Sequence, residues 1–461
     1  TTGMNISVGR ISLSFPLNLV VTDVDAASPH KDTLLSVRRL QVNVQLLPLL
    51  KKQVEVDGIS LQGATVNSND LIHGMRLNGT LGELFISSHG VALDPETAIV
   101  NKVLLKDTDL SLCLNDTAAA DTAASDTTYW KIILQDIDLQ NVSFALDMPL
   151  DSLSLAASLD NATLRDGLID LHKSAYSLQT FRIKNGRVRY DSGRPSATAS
   201  ADSLSAGLDP SHIALTDIGV KLDSLYYEGR NMKAIISQFV LKERSGVEIV
   251  STEGRLVSND KVLRVPSLKL ETRDSYLELN AAMDWDALDF KKEGLVSARL
   301  MADIGKPDVV RFMGSMDEKF IRKYPSEPLR IRTGIDGDLN KLKLTTLTAE
   351  LPGALELFAK GELTSLTDSL LRGGDITLQA ETKDLKFIST LAEGIEIPYG
   401  TRLEGKFTMA GPKMGTDLLL MQPEAHAVAA ADTIPITVYN DSISVADDFK
   451  MERAARLFAK Y

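Results

Sequence analysis

Four pairs of aspartates come nearest, in residue type and spacing, to a catalytic or metal-binding pattern. They are Asp107 and Asp109, Asp136 and Asp138, Asp284 and Asp286, and Asp336 and Asp338. On a strand, residues i and i+2 lie on the same face, so each pair could hold a calcium ion or supply two catalytic carboxyls. Because most of these aspartates fall at predicted turns or strand edges, where acids face water, we favour the solvent-exposed interpretation.

The other residues capable of chemistry are scattered. Histidines occur at His30, His73, His89, His172, His212 and His426, and no two have metal-ligand spacing. The sequence contains no phosphate-binding glycine loop, no Gly-x-Ser-x-Gly elbow and no His-Glu-x-x-His motif. Cys113, the single cysteine, lies next to the apolar alternation Leu110-x-Leu112-x-Leu114, which predicts a packed or lipid-facing thiol instead of a nucleophile. We therefore predict a protein that is not an enzyme and needs no cofactor or metal.

Composition and charge exclude some classes of partner. Among the 461 residues, 44% are hydrophobic but only 5% aromatic, so the apolar surfaces consist mainly of Leu, Val, Ile and Ala. The formal net charge is −12, which argues against nucleic acid, because its phosphates select basic surfaces. No run of 18 apolar residues occurs, so no spanning helix is predicted within this sequence.

A segment of the chain appears twice. Residues 54–112, shifted forward by 78 (132 − 54 = 78), place their apolar positions on those of 132–190 without a gap. The matched apolar residues are Ile59 and Ile137, Leu61 and Leu139, Val66 and Phe144, Leu77 and Leu155, Leu81 and Leu159, Ile86 and Leu164, Val91 and Ile169, Leu93 and Leu171, Val103 and Phe181, Leu105 and Ile183, and Leu110 and Val188. A fixed period that keeps a core pattern is typical of stacked arrays, which usually bind or bridge other molecules.

Each repeat unit has the form apolar-x-apolar, followed by another apolar residue five positions later. In Leu61 to Val66, for example, side chains alternate between faces, so the two residues share a face only if one residue between them is absorbed. We therefore predict a bulge or tight turn at the positions Gly63, Asp107, Asn141 and Asn185, and a strand on either side of each.

This period-2 pattern predicts a mainly β chain: an elongated, repeat-built antiparallel sheet with a few short helices. The predicted organisation is N-terminal strands and a short helix in 1–53, the duplicated region 54–190 with a loop at 115–128, continuing β-repeats in 191–306, an amphipathic helix in 307–325, further β-repeats in 326–440 and a C-terminal helix in 447–461. In 307–325, Val309, Phe312 and Phe320 belong to the predicted apolar stripe.

The apolar strand faces allow two interpretations. One is a sandwich or solenoid whose core closes on itself, which is the commoner use of such strands. The other is an open trough whose apolar inner face holds a hydrophobic ligand, because an open apolar strip of this length would otherwise be a liability.

The segment 40–66, Leu-Gln-Val-Asn-Val-Gln-Leu-Leu-Pro-Leu-Leu-Lys-Lys-Gln-Val-Glu-Val-Asp-Gly-Ile-Ser-Leu-Gln-Gly-Ala-Thr-Val, resembles the opening of AsmA-like proteins, including the TamB branch. The segments 8–17 and 328–342 also suit that family, and the likeness extends over most of 1–410. The tail after 411 departs from it, as does the absence of an N-terminal membrane helix from this sequence.

The resemblance implies a bacterial envelope protein in the periplasm, anchored to the inner membrane through an N-terminal helix that is missing here. It implies a taco-like or half-pipe sheet in which the 22 matched apolar residues line a groove for phospholipid or another acyl-chain lipid. It also implies a role in outer-membrane lipid homeostasis and, for the TamB branch, an outer-membrane barrel protein as partner.

Three functions follow as hypotheses. The first is a non-enzymatic lipid-binding and lipid-transport bridge. The second is a scaffold for outer-membrane protein translocation and assembly, in which an open β-edge pairs with a client strand. The third is an envelope enzyme, such as a glycan hydrolase, that uses the aspartate pairs.

Overall fold

The computed structural model describes residues 5–15, 18–28, 33–44, 56–68, 74–92, 96–115, 129–193, 207–288, 292, 294–312, 318–366, 370–390, 399–410, 413–421 and 436–438. The chain forms two compact units, Thr1–Leu279 with Pro307–Met316, and Asn280–Lys306 with Asp317–Tyr461. It is mainly β, as predicted. The predicted C-terminal helix of 447–461, the turn of helix near 46–53 and nearly all of the 115–128 loop lie outside the described residues.

Long strands make up the first unit. They are β1 (Asn5–Ser14), β2 (Asn18–Ala27), β3 (Thr33–Val44), β4 (Val56–Asn67), β5 (Met75–Ala92), β6 (Thr97–Leu114), β7 (Lys131–Met148), β8 (Leu153–Asp170), β9 (Ala175–Leu178), β10 (Thr180–Ser192), β11 (His212–Glu228), β12 (Asn231–Glu243), β13 (Glu248–Ser258) and β14 (Val262–Thr272). A further strand, β15 (Tyr276–Asp284), spans the boundary between the two units.

The second unit has shorter strands than the first. Its strands are β16 (Val296–Ile304), β17 (Leu329–Gly337), β18 (Lys341–Leu351), β19 (Leu355–Thr364), β20 (Gly373–Thr382), β21 (Arg402–Ala410), β22 (Lys413–Met421) and β23 (Ile436–Val438). The α-helices are α1 (Lys306–Phe312), most of which belongs to the first unit, and α2 (Glu318–Lys323). Two 3-10 turns, Trp285–Leu288 and Ile388–Thr390, complete the regular structure of the described residues.

Neighbours in sequence are neighbours in the sheet. In the first unit β1 to β8 pair in chain order, β9 and β10 both bridge β8 to β11, and β11 to β14 follow in order. In the second unit β16 to β23 pair in order and antiparallel. The predicted antiparallel sheet is thereby confirmed.

One described ladder departs from the antiparallel rule, because β6 and β7 run parallel. Parallel neighbours need a connection of about a dozen residues or more, so that the chain can return to the same end of the sheet. The 16 residues between Leu114 and Lys131 (131 − 114 − 1 = 16) provide that length. The sequence marked this segment as a loop but did not reveal the change in strand direction.

The duplication in sequence is a duplication in structure. β5 and β8 begin 78 residues apart (153 − 75 = 78) and have the same length, 18 residues. β6 likewise corresponds to β9 and β10 taken together, since 97 and 175 are 78 apart, as are 114 and 192. Each copy therefore contributes three strand positions to the sheet.

The four predicted kinks are confirmed. Gly63, Asp107, Asn141 and Asn185 all have φ between 50° and 63°, in the left-handed region. Glycine reaches this region without strain, and Asn and Asp tolerate it better than other residues. Because each residue sits in mid-strand and not in a loop, the strand turns there and continues.

The kinks form a single line across the sheet. In each of the ladders that lead from β1 to β8 and on to β10, the pairing has a gap, where a residue of one strand faces a residue of its neighbour. These residues are Gly9, Asp23, Arg38, Gly63, Gly82, Asp107, Asn141, Asp160 and Asn185. We call this line the crease. In β10, Phe181 and Ile183 before the kink and Val188 after it are half-buried, and Gly186 is buried. The residues on both sides of the kink therefore belong to the same face, because the kink accommodates one extra residue.

Left-handed residues alternate along the crease. In every antiparallel pair from β1 to β10, one partner has positive φ and the other does not, whereas both partners have positive φ in the parallel pair β6 and β7. The left-handed partner approaches closely: a Cβ built on Gly9 would lie 2.9 Å from Cβ of Asp23, and one on Gly82 would lie 2.8 Å from Cβ of Asp107. Only glycine fits those two places without a shift of the backbone.

Helix α1 is held by a buried carboxylate. Asp308 is fully buried, and it accepts hydrogen bonds from Thr272, from Oγ of Ser275 at 2.6 Å and from Nη1 of Arg311 at 3.0 Å. Burial works to lower the pKa of Arg311, but the hydrogen bonds to Asp274 and Asp308 outweigh it and raise that pKa. Instead of the apolar stripe predicted over 307–325, this first half presents a satisfied charge to the sheet, and Phe312 is 56% exposed.

Helix α2, the second half of the predicted helix, contributes an aromatic core to the second unit. Phe320 is 2% exposed, and its ring lies 5.5 Å from that of Tyr324 and 5.8 Å from that of Phe387. Residues 313–317, between α1 and α2, lie outside the described residues.

The crease predicts a position-specific cost for substitution. We expect Asn185→Val to lower the free energy of unfolding by about 1–3 kcal/mol, because a β-branched residue is strained in the left-handed region and the bond from Asn185 to Asp160 is lost. Asn185→Gly should cost less than about 1 kcal/mol. Lys184→Val, at the exposed neighbouring position, is the control for urea-induced unfolding. Equal midpoints for the two valine variants would contradict a strained crease.

A second prediction concerns the buried charge. Asp308→Ala should cost about 3–5 kcal/mol, because it leaves Arg311 without a buried partner and two hydroxyl groups without an acceptor. Phe312→Ala, on the same helix but exposed, should change stability by less than about 1 kcal/mol. Thermal unfolding followed by circular dichroism measures both, and a larger loss for Phe312→Ala would show that the apolar stripe holds the helix after all.

Candidate functional site

Four rows of mainly apolar side chains cross the strands of the first unit. Directly paired residues of neighbouring strands share a face, so each row can be followed from ladder to ladder. The first row is Leu13, Leu19, Val42, Ile59, Ile86, Val103, Ile137, Leu164, Phe181 and Leu222. The second row is Ile11, Val21, Leu40, Leu61, Leu84, Leu105, Leu139, Ala162, Ile183 and Val220.

The other two rows lie beyond the crease. The third row is Val8, Val24, Val37, Ala64, Leu81, Thr108, Val142 and Leu159. The fourth row is Ile6, Ala26, Leu35, Val66, Gly79, Leu110, Phe144, Ala157, Val188 and Leu215. Because the crease absorbs one residue per strand, all four rows belong to one surface, which we call the apolar face.

The apolar face is not packed like a closed core. Leu105, Leu139 and Ile183 in the middle of the sheet are half-buried, while Ile59 is 36% and Phe144 38% exposed. Side chains of this size in a sandwich core would be in contact on all sides and almost fully buried. The face therefore retains apolar surface that a hydrophobic molecule could cover.

Burial is concentrated beside the crease. Val37 is 6% exposed, Ala64 8% and Ala162 2%, and Thr108 is 2% exposed with its Oγ1 donating to the carbonyl oxygen of Lys106 at 3.1 Å. Because these residues lie on the rows that flank the crease, the side chains are most crowded where the strands turn.

The opposite face is polar. On β10 the residues between the apolar positions are Arg182, Lys184, Arg187 and Arg189, all exposed. The crease residues add a chain of amides and carboxylates, since Nδ2 of Asn141 donates to Asp107 and Nδ2 of Asn185 donates to Asp160, both at 2.9 Å. The sheet thus separates an apolar surface from a mainly polar one, which on β10 is charged.

Sixteen of the residues predicted from the duplication lie on the four rows. They are Ile59, Leu61, Val66, Leu81, Ile86, Val103, Leu105, Leu110, Ile137, Leu139, Phe144, Leu159, Leu164, Phe181, Ile183 and Val188. Leu77 and Leu155 lie on a shorter fifth row with Leu112 and Leu146 between them.

The remaining predicted residues are placed differently. Ile169 pairs with Ile132 and Tyr176 near the end of β8. Leu171 is 39% exposed in the turn after β8, where its N–H donates to the carbonyl oxygen of Trp130. Val91 pairs with Ala98 in the ladder between β5 and β6. Leu93 lies outside the described residues.

The sequence prediction missed the ends of the rows. Strands β1 to β3 and β11 carry the same rows, through residues such as Ile11, Val21, Leu40 and Val220, but lie outside the duplicated segments. A usable signal was present in β1, where two apolar-x-apolar pairs, Ile6 with Val8 and Ile11 with Leu13, flank Gly9.

The aspartate pairs are bound to structural partners. Nη1 of Arg165 contacts Asp136, and its Nη2 contacts Asp138 at 3.1 Å, so both carboxylates of that pair are bound to one arginine. Asp336 accepts a hydrogen bond from Ser297, and Asp338 accepts one from each of two backbone N–H groups in its own turn. Within the described ranges, no three His, Cys, Asp or Glu residues are positioned to share a metal ion.

A shallow concavity of about 600 Å³ lies on the polar side of β18 to β21 in the second unit. Four glutamates line it, and three of them form ion pairs: Glu350 with Arg330, Glu356 with Lys383, and Glu381 with Arg402. Its charges are largely neutralised within the sheet, so it offers little for a ligand to bind.

No helix in the described part of the chain is long and apolar enough to cross a membrane. Comparisons with protein-family models, with curated proteins and with solved structures find no match for this chain.

A cross-strand contact next to the apolar face predicts a pH dependence. Burial raises the pKa of Asp191, but hydrogen bonds from Arg189 and His212 outweigh it and hold that pKa below its ordinary value of 3.8. The stability from Asp191 is therefore present above about pH 3.9 and is lost as the pH falls through the folded-state pKa. We expect Asp191→Asn to be less stable than wild type by up to about 1 kcal/mol at pH 7.

That difference should shrink as the pH falls below about 4, since Asp191 becomes protonated first in the unfolded chain and then, at lower pH, in the folded protein. Thermal unfolding at a series of pH values from 7 to 3 measures it. Asp151→Asn, in the exposed turn before β8, is the control. A difference that stays constant over the whole range would contradict the role of the Asp191 charge.

Proposed function

We propose that this protein is a non-enzymatic lipid-binding and lipid-transport bridge of the bacterial envelope. In this proposal the sheet of the first unit curls toward its apolar face, acyl chains lie along the four rows, and lipid head groups remain in water. The protein supports outer-membrane lipid homeostasis from the periplasm, held to the inner membrane by a helix outside this sequence.

The observation that carries the proposal is the continuity of the apolar face together with its incomplete burial. The rows cross from β1 to β11 with few interruptions, and their central residues stay half-buried while the reverse face is mainly polar. Burying apolar surface yields about 0.8 kcal/mol per methylene group, so an acyl chain lying along several strands would be held without any polar contact. Such contacts are non-directional, which suits a surface along which a chain slides.

The crease supports the curl. Crowding on the apolar side, as at Val37, Ala64 and Ala162, is what a sheet folded toward that side would produce. The resemblance of 40–66 to AsmA-like proteins, including the TamB branch, supports the cellular setting and a phospholipid as the ligand. A scaffold for outer-membrane protein assembly with a barrel partner is the alternative, and it would use a sheet edge instead of the apolar face.

The test is lipid extraction and mass spectrometry of the purified protein and two variants. We expect about one or more phospholipid molecules per wild-type chain. Leu105→Asp should lose most of that lipid, because the charge would have to be buried against an acyl chain. Lys106→Asp, at the next residue but exposed, should retain it.

Thermal unfolding separates loss of lipid from loss of fold. Since Leu105 is half-buried, Leu105→Asp should remain folded when lipid is lost; if it unfolds, the face is a closed core. A photo-crosslinking residue at position 139 provides a second route, because it should label lipid when the same residue at position 106 does not. Lipid-free wild-type protein with no crosslinks at position 139 would refute the proposal.

A further inference from the structure

Strand β1 is an edge of the first sheet, and it is unusually open. It pairs with β2, and no other described strand is paired with it. All ten of its residues are exposed, among them Ile6 at 68%, Ile11 at 65% and Leu13 at 67%. An edge strand that is long, apolar and uncovered is a template for pairing with another chain.

Strand β1 carries apolar residues in the same rows as its neighbour β2, so its sequence would suit an internal strand. Val8, Ile11 and Leu13 occupy the same row positions in β1 that Val24, Val21 and Leu19 occupy in β2. Position 9 lies on the crease, as its alignment with Asp23 shows. Strand β1 therefore carries every feature of an internal strand, but with one neighbour in the described structure instead of two.

The crease specifies which neighbour would fit. Along the antiparallel pairs from β1 to β10, a residue with positive φ always faces a residue without it, and Gly9 is of the second kind. An antiparallel strand added beside β1 would therefore place a left-handed residue opposite Gly9. Asn, Asp and Gly are the residues that adopt this conformation readily.

We propose that β1 accepts an antiparallel strand from another polypeptide, and that this strand has alternating apolar residues and an Asn, Asp or Gly opposite Gly9. Backbone hydrogen bonds to the free edge would supply affinity, and the crease residue with its flanking apolar side chains would supply specificity. The proposal is independent of lipid binding, since it uses the edge of the sheet and not its face.

The same rule disfavours a second copy of β1 as the occupant. Two β1 strands related by a two-fold axis through Gly9 would bring identical backbone conformations together at the crease. No antiparallel pair from β1 to β10 combines two crease residues that both lack positive φ. A strand of different sequence satisfies the alternation without strain.

A peptide with the sequence of β10, Thr180–Ser192, is a suitable probe because β10 pairs antiparallel with β8 and places left-handed Asn185 opposite Asp160. We expect the fluorescein-labelled peptide to bind the full chain saturably in a fluorescence anisotropy titration. The peptide with Asn185→Val should bind about tenfold more weakly, which corresponds to about 1.4 kcal/mol of strain.

Two protein variants locate the binding site. Val8→Lys places a charge on the apolar side of the edge and should weaken binding about tenfold or more, whereas Ser7→Lys on the other side should have an effect below about threefold. Both positions are exposed, so both variants should fold, which thermal unfolding checks.

Each other outcome overturns the proposal. Equal affinity for the two peptides would mean that the crease does not select the strand, and equal binding by Val8→Lys would mean that the peptide lies elsewhere, including on the apolar face. Absence of saturable binding would exclude the edge as an acceptor of this pattern. Self-association that Val8→Lys abolishes, seen by sedimentation velocity, would identify a second copy as the occupant instead.

Discussion

One left-handed residue in each antiparallel strand pair from β1 to β10 is the constraint on which the rest of this structure depends. A strand of regular alternation could not place Ile183 and Val188 on one surface, because they are five residues apart. The kink at Asn185 makes this possible, and the same device acts at Asn141, Asp107 and Gly63. Since the kinks face one another, the strands turn together, and hydrogen bonding resumes in register on both sides.

The crease also explains residues that a packing argument would overlook. Gly9 and Gly82 lack side chains because the Cβ of a left-handed neighbour occupies that space. Asn141 and Asn185 combine tolerance of the left-handed region with an amide that reaches the neighbouring crease carboxylate. Backbone conformation, cross-strand hydrogen bonding and the choice of glycine therefore satisfy one geometric requirement.

Much of this architecture could be predicted from the sequence, because its signals are local and repeated. The five-residue spacing from Leu61 to Val66 required a kink, and the kept apolar positions required matching strands. The parallel pairing of β6 and β7 could not be predicted, since alternation does not encode strand direction. The burial of Asp308 could not be predicted either, because its partners Thr272 and Ser275 are more than 30 residues away in sequence.

The parallel junction has a consequence for how such a protein changes length. In a copy of three antiparallel strands, the third strand runs in the same direction as the first. If the next copy began with a strand antiparallel to that third strand, all its strands would run opposite to their counterparts in the first copy. Because β7 is parallel to β6, it has the direction of β4, and the two copies are related by a shift along the sheet without inversion. Gain or loss of a whole 78-residue copy would therefore preserve the alignment of the crease, the alignment of the apolar rows and the direction of each strand. Lengthening by duplication is thus compatible with every other constraint on the sheet.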